Sequence, residues 1–190
     1  MYAVRFAQQN CAFGTTSHKP KPLYVIGVLN KKKEDKKMAR KVFYSFYFKK
    51  DNWRASQVRN MGVIEGNQPV SDNDWEQIKK GGDEAIKKWI NEQLNGRSCT
   101  IVLIGTNTAE RKWIKYEIEK TWNDGKGLLG IYIHKLKDKD GNQTTKGKNP
   151  FDDFNLNGTP LSQIVQTYNP PYSDSKDVYD YILSNNLYLN

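Results

Sequence analysis

Apolar residues in this chain fall either into unbroken blocks or into stripes that recur every three or four positions, and the alternation of the two predicts the fold. The clearest unit is residues 98–134. Thr100, Ile101, Val102, Leu103 and Ile104 form an unbroken run that stops at Gly105, Thr106 and Asn107; a helical stretch, ERKWIKYEIEKTW, comes next, and a second run spans Leu128 to Ile133. Two strands that are apolar throughout and joined by a helix predict parallel neighbours, buried on both faces and linked by a right-handed crossover. Ligands of such sheets bind where strand ends meet helix starts, which puts the expected site at residues 105–108.

One residue of that helix breaks the pattern. Turning about 100° per residue from Trp113 centres the apolar stripe on Ile114, Ile118 and Thr121. Glu117 then falls between Trp113 and Ile114, whereas Glu119 points to solvent. A carboxylate at the edge of an apolar stripe, beside Trp113 and Tyr116, loses hydration, so that either a partner compensates it or its proton affinity rises. Residues in that state are functional candidates. The plainer alternative bends Glu117 outward into an ion pair with Lys115 or Lys120. The residues alone favour that alternative, because ion-pair networks also perturb carboxylates.

The same reading extends along the chain. Residues 41–48, KVFYSFYF, predict a first strand from branched and aromatic side chains. Asp51 and Asn52 read as a turn, Trp53 to Asn60 as a short helix and Met61 to Glu65 as a weak second strand. Ser71 to Asp74 carries a helix-start signal, and Gly81 with Gly82 breaks or bends the chain beyond it. In DEAIKKWINEQLNG one face collects Ile86, Trp89, Ile90, Gln93 and Leu94, with Asn95 and Gly96 as the stop. Residues 135–150 read as a polar surface excursion, Gln163 to Tyr168 as a weak strand and Lys176 to Leu183 as a last helix. Strand and helix alternate, which predicts an α/β, doubly wound, mostly parallel sheet with helices on both faces, of flavodoxin-like type.

Charge changes the picture at the N-terminus. The 190 residues carry a net charge of +9, but residues 1–37 contribute eight Lys or Arg against two acids; the remainder has 22 against 19, or +3. We expect translation and the folded unit to begin at Met38, with 1–37 a mis-assigned or disordered leader and 38–190 one domain. A charge of +3 gives no basic footprint, so no nucleic-acid partner is expected. No apolar run approaches the roughly 20 residues of a membrane helix. Cys11 and Cys99 are the two cysteines; read as unpaired, they predict a reducing, cytoplasmic compartment.

Familiar machinery is missing. The chain has neither G-x-x-x-x-G-K-[ST] nor G-x-G-x-x-G after the first strand, which excludes a P-loop and an ordinary dinucleotide fold. One His and one Cys beyond Met38 are too few for a His/Cys zinc cluster, and no metal is expected. There is no G-x-S-x-G elbow. The remaining chemistry is Glu117 among aromatic rings, with hydroxyl and amide groups at strand ends: Ser45 and Tyr47 at the first, Thr106 and Asn107 at the third, His134 at the fourth. Ser45 and Thr106 read most simply as turn or helix caps. A carboxylate beside aromatics nevertheless suits N-glycosidic cleavage, whose oxocarbenium-like transition state it stabilises.

The strand KVFYSFYF with Arg54, Val58, Arg59 and Asn60, the TIVLIGTNT turn, the RKWIKYEI helix and the DKDGNQTTKGKNPFDDF excursion together resemble the TIR-like proteins of bacterial anti-phage defence, notably the Thoeris sensor subunit. The resemblance runs from about Met38 to Phe154. It implies a TIR fold, with NAD as substrate rather than bound cofactor. It gives the catalytic role to Glu117 alone; the residues at the strand ends and beside that glutamate, Ser45, Phe46, Tyr47, Thr106, Asn107, Trp113 and Tyr116, are expected to bind the substrate. It further implies a cyclic ADP-ribose-type product, a downstream effector protein reached by that diffusible signal, and a phage-derived trigger. It leaves open self-association into homo-oligomers. Tyr47 departs from the family, which commonly has His there. A scaffold of this fold that binds partner proteins without turnover is the competing reading.

Overall fold

A computed structural model describes residues 41–61, 65–66 and 77–186. The leader, Met38 and the Ser71–Asp74 signal lie outside the described residues. Five strands, β1 (Lys41–Ser45), β2 (Glu65–Gly66), β3 (Cys99–Ile104), β4 (Gly127–Tyr132) and β7 (Thr167–Tyr168), pair in the order β2-β1-β3-β4-β7. Every pairing in this sheet is parallel. This is the flavodoxin strand order, with its ligand-binding crevice between β1 and β3, where the winding reverses. A two-stranded antiparallel ribbon, β5 (Asn155–Leu156) with β6 (Thr159–Pro160), stands apart.

Helices cover both faces. α1 (Phe48–Arg59) and α4 (Ser175–Asn186) flank one face, whose core joins Val42, Tyr44, Ile101, Leu103, Leu129 and Ile131 to Ala55, Val58, Val178 and Ile182. α2 (Gly82–Leu94) and α3 (Lys112–Asn123) flank the other. There Ile114 and Ile118 pack with Val102, Ile104 and Tyr132, and Ile86, Ile90 and Leu94 pack with Phe43. Alternate residues of one strand thus enter opposite cores, as a sheet buried on both faces requires. The glycine break before α2 falls where expected: Gly82 has φ +73°, a left-handed conformation that disfavours side chains.

Several boundaries differ from the sequence reading. The first strand stops at Ser45 instead of Phe48; Tyr47 is the residue before α1, which starts five positions ahead of Trp53. The aromatic run therefore straddles a strand end, a turn and a helix start, which composition does not separate. Asp51 and Asn52 are helical, and α1 buries Asp51 and Arg54 while exposing Trp53. The described part of the second strand is Glu65–Gly66, with Met61 in a turn. A 3-10 turn (Thr108–Glu110) precedes α3, so the helix begins at Lys112. Gln163 belongs to another 3-10 turn, and the last strand of the sheet is Thr167–Tyr168.

The polar excursion at 135–150 lies on the surface, exposed over residues 139–146, but it is anchored: Leu136 and Pro150 are buried. Arg54 grips it from α1 through Leu136 O (2.8 Å), Asn142 O (2.7 Å) and Asp138 Oδ2 (3.1 Å). Its far end lies across the end of β3, where Thr106 Oγ1 donates to Thr145 O at 2.6 Å and a Cβ on Gly147 would overlap the carbonyl oxygens of Gly105 and Thr106.

Candidate active site

α3 presents Ile114, Ile118 and Thr121 to the sheet because they share one helical face, and Glu117 shares it with them. The carboxylate is 8% exposed and Ser45 1% exposed. At the end of β1, Ser45 Oγ donates to Glu117 Oε2 at 2.5 Å. The outward alternative fails, because Lys115 pairs with Asp153 at 2.6 Å and Lys120 pairs with Asp124. Burial drives the Glu117 pKa up to about 8, against the opposing hydrogen bond from Ser45. Glu119, two residues on, is exposed.

The other expected site residues lie around this pair in different ways. Tyr47 sits beyond Ser45 with its ring under the guanidinium of Arg111, 4.5 Å from centroid to Cζ. Trp113, one turn ahead of Glu117, packs on the Phe43, Ile86 and Ile90 cluster and meets Tyr116 edge-on at 6.2 Å. Tyr116 turns toward α2, its hydroxyl donating to Asn91 Oδ1 at 3.0 Å. Phe46 packs against the core on the α1 side, opposite Ser45. Thr106 is tied to the excursion, and Asn107 Nδ2 donates to Glu110 Oε2 at 3.3 Å. The cap of this turn is Thr108, whose Oγ1 accepts from Gly105 N at 2.8 Å. An open polar groove of about 590 Å³ between α2 and α3 includes Tyr116, but Glu117 does not line it.

Two acid–base features lie beside the turn: Asp51, read from the sequence only as part of a turn, and His134, read there as the group at the end of the fourth strand. Asp51 is 2% exposed and lies directly on Gly105, so that a Cβ there would run into its carboxylate. Among the described residues its Oδ2 has no hydrogen-bond partner, and its Oδ1 meets the cation of Arg54 at Nη1, 3.6 Å away. Burial raises the Asp51 pKa to about 6, opposed by Arg54 and Lys50. His134 lies two residues past the end of β4, edge-on to Tyr132 at 5.7 Å. Burial, then Lys135 and Lys146, lower its pKa to about 4 and keep the ring neutral at pH 7. The signal for Asp51 was the spacing Asp51-x-x-Arg54 opposite a strand-end glycine, visible once α1 is known to begin at Phe48. Among the described residues no group of three or more His, Cys, Asp or Glu could hold a metal ion, and no helix is long and apolar enough to cross a membrane.

A parallel sheet in flavodoxin order, with helices on both faces, makes this an α/β domain of flavodoxin type. The family model described as "Thoeris protein ThsB, TIR-like domain" matches residues 43–138, just over half of the chain. The chain belongs to this family. It is also 43% identical over 120 residues to a Bacillus cereus (strain MSX-D12) protein named "Putative cyclic ADP-D-ribose synthase ThsB1". That match covers 60% of this chain and 62% of the relative.

Proposed function

We propose that this chain is a TIR-domain enzyme that cleaves the nicotinamide–ribose bond of NAD and cyclises the ADP-ribosyl unit. The product is a cyclic ADP-ribose-type signal, read by a separate effector in anti-phage defence. The observation that carries the reading is the buried Glu117 carboxyl, held by Ser45 at the crevice between β1 and β3. The name of the Bacillus relative supports the choice of reaction.

In this mechanism the C1′–N bond breaks and its electron pair goes to the pyridinium nitrogen, so neutral nicotinamide leaves and positive charge builds at C1′. Ionised Glu117, in a low-dielectric setting, offsets that charge far better than a carboxylate in water. The cationic nicotinamide ring favours the ionised form as it docks. Ser45 holds one oxygen, which fixes the carboxylate while the other faces the sugar. A nucleophilic atom from the adenosine end of the same molecule then closes on C1′, while exclusion of water suppresses hydrolysis.

The test is release of nicotinamide and formation of product from NAD, resolved by chromatography, in the presence of infected-cell extract. Glu117→Gln keeps size and removes charge, and turnover should fall by roughly two or more orders of magnitude. Glu119→Gln, on the exposed face of α3, should retain the parent rate. Full turnover in Glu117→Gln would remove Glu117 from the chemistry, and a triggered parent that leaves NAD intact would favour the scaffold.

A further inference from the structure

Beyond the Glu117 carboxyl, two cations flank the Gly105–Asn107 turn, and each is stacked on a tyrosine. Arg111 lies over Tyr47, next to the end of β1, at 4.5 Å. Lys146 lies over Tyr132, the last residue of β4, also at 4.5 Å. Both are tied to the turn between them: Arg111 Nε donates to Asn107 O at 3.2 Å, and Lys146 sits between Thr145 and Gly147, the residues that press on Thr106 and Gly105. The two cations therefore stand on either side of one strand end, at the mouth of the crevice.

Neither cation is held by a buried carboxylate. Among the described residues Lys146 has no ion pair or hydrogen bond to a carboxylate, although Asp152 lies near enough to act on Tyr132. Arg111 Nη2 meets Glu110 Oε2 at 3.0 Å, but that carboxylate's side chain is 62% exposed and the guanidinium 35%, so the pair is weak and displaceable. Among the described residues Arg111 Nη1 makes no hydrogen bond. The contact with Tyr47 holds the guanidinium beside the turn and leaves Nη1, and Nη2 once Glu110 is displaced, for a ligand such as a phosphate oxygen.

We propose that Arg111 and Lys146 form the rim that binds the diphosphate of a dinucleotide. The inference rests on the NAD reading above. It gives these side chains a binding role that cleavage of the nicotinamide–ribose bond does not itself require. Two anionic groups joined by one oxygen can span the turn and meet a cation at each side, leaving the sugar that bears the leaving group over Ser45 and Glu117.

The test is calorimetric titration of the full chain with ADP, which carries the diphosphate without nicotinamide, and with adenosine. ADP should bind, adenosine at least tenfold more weakly, and the difference should shrink with added salt. Arg111→Gln and Lys146→Gln should each weaken ADP about tenfold and leave adenosine unchanged. Glu110→Gln removes the competing carboxylate and should tighten ADP about threefold, a gain no misfolded protein can mimic. Equal binding of ADP and adenosine, no ADP binding by the parent, or parent-like ADP affinity in both charge-removing variants overturns the rim. Glu117→Gln separates the two readings: it should bind ADP as the parent does while losing NAD turnover. ADP binding as described in a parent that never consumes NAD would sink the reaction and leave the rim standing.

Discussion

Ser45 and Glu117 are 72 positions apart in sequence and share a 2.5 Å hydrogen bond, with Ser45 the donor. Of the two influences on the Glu117 pKa, burial raises it and this bond lowers it. Ser45→Ala therefore leaves burial unopposed and drives the carboxyl further up. If NAD is cleaved as proposed, the rise of kcat/KM with pH, which reports the free enzyme and should centre near pH 8, should move to higher pH. Activity at pH 7 should drop roughly tenfold. An unmoved limb accompanied by a lower rate would reduce Ser45 to a packing residue.

The same raised pKa makes a stability prediction with a definite sign. In the unfolded chain Glu117 loses its proton near 4.5, and in the folded protein near 8. Between those values the folded state binds more protons, so Glu117 costs more stability as pH rises, and above about 8 the cost is constant. Glu117→Gln removes that cost. Its melting temperature should equal or slightly differ from the parent's at pH 4.5 and exceed it by several degrees at pH 8. A difference between the two proteins that does not change across this window would mean that water reaches the carboxyl.

The place of Glu117 at the edge of the apolar stripe was legible because Ile114 and Ile118 fix the phase of the helix, but its inward turn was not: the residues alone favoured an outward ion pair, and the partner that holds it, Ser45, is 72 positions away. The flat apolar runs of β3 and β4 gave the parallel sheet. What the sequence did not reveal lies where periodicity is weak. α1 buries Asp51 and Arg54 while exposing Trp53 at 55%, the reverse of what polarity suggests, because these charged groups are held by the turn and the excursion, not by an apolar neighbour. The excursion reads as solvent-facing because its side chains are polar, and residues 139–146 are exposed as expected. Its anchoring comes from backbone carbonyls that accept from Arg54, and side-chain polarity carries no signal for that.

Gly105 and Asp51 give a prediction about close approach. A methyl on Gly105 would overlap the Asp51 carboxylate, so Gly105→Ala must displace either α1 or the turn. We expect a loss of roughly 1–3 kcal/mol by chemical denaturation. Asp51→Ala makes room for the methyl, and the double variant should recover part of that loss. A coupling of about 0.5–3 kcal/mol in the double-mutant cycle is the expected result. Strict additivity would show that the two positions do not touch.

Arg54 ties the site to the rest of the fold. It is 2% exposed, and its donors reach Leu136 O, Lys50 O, Asn142 O and Asp138. Asp138 in turn accepts from Asp140 N and Asn142 N, which closes the local loop. Past that anchor the chain returns to β3, where Thr145 and Gly147 rest on Thr106 and Gly105. Arg54→Met fills much of the volume but leaves these carbonyls without a donor, and should destabilise by about 3 kcal/mol, as removal of one partner of a buried pair does. Arg54→Lys restores the charge without the fork and should recover part of that loss. Amide hydrogen exchange separates a local from a global effect: in Arg54→Met, exchange should rise most between residues 136 and 147 and least in β3. If NAD is the substrate, KM should rise more than kcat falls, because Lys146 loses its position while Glu117 and Ser45 keep theirs. Uniform exchange along the whole chain, with kcat and KM both at parent values, would mean that the excursion holds its place without Arg54.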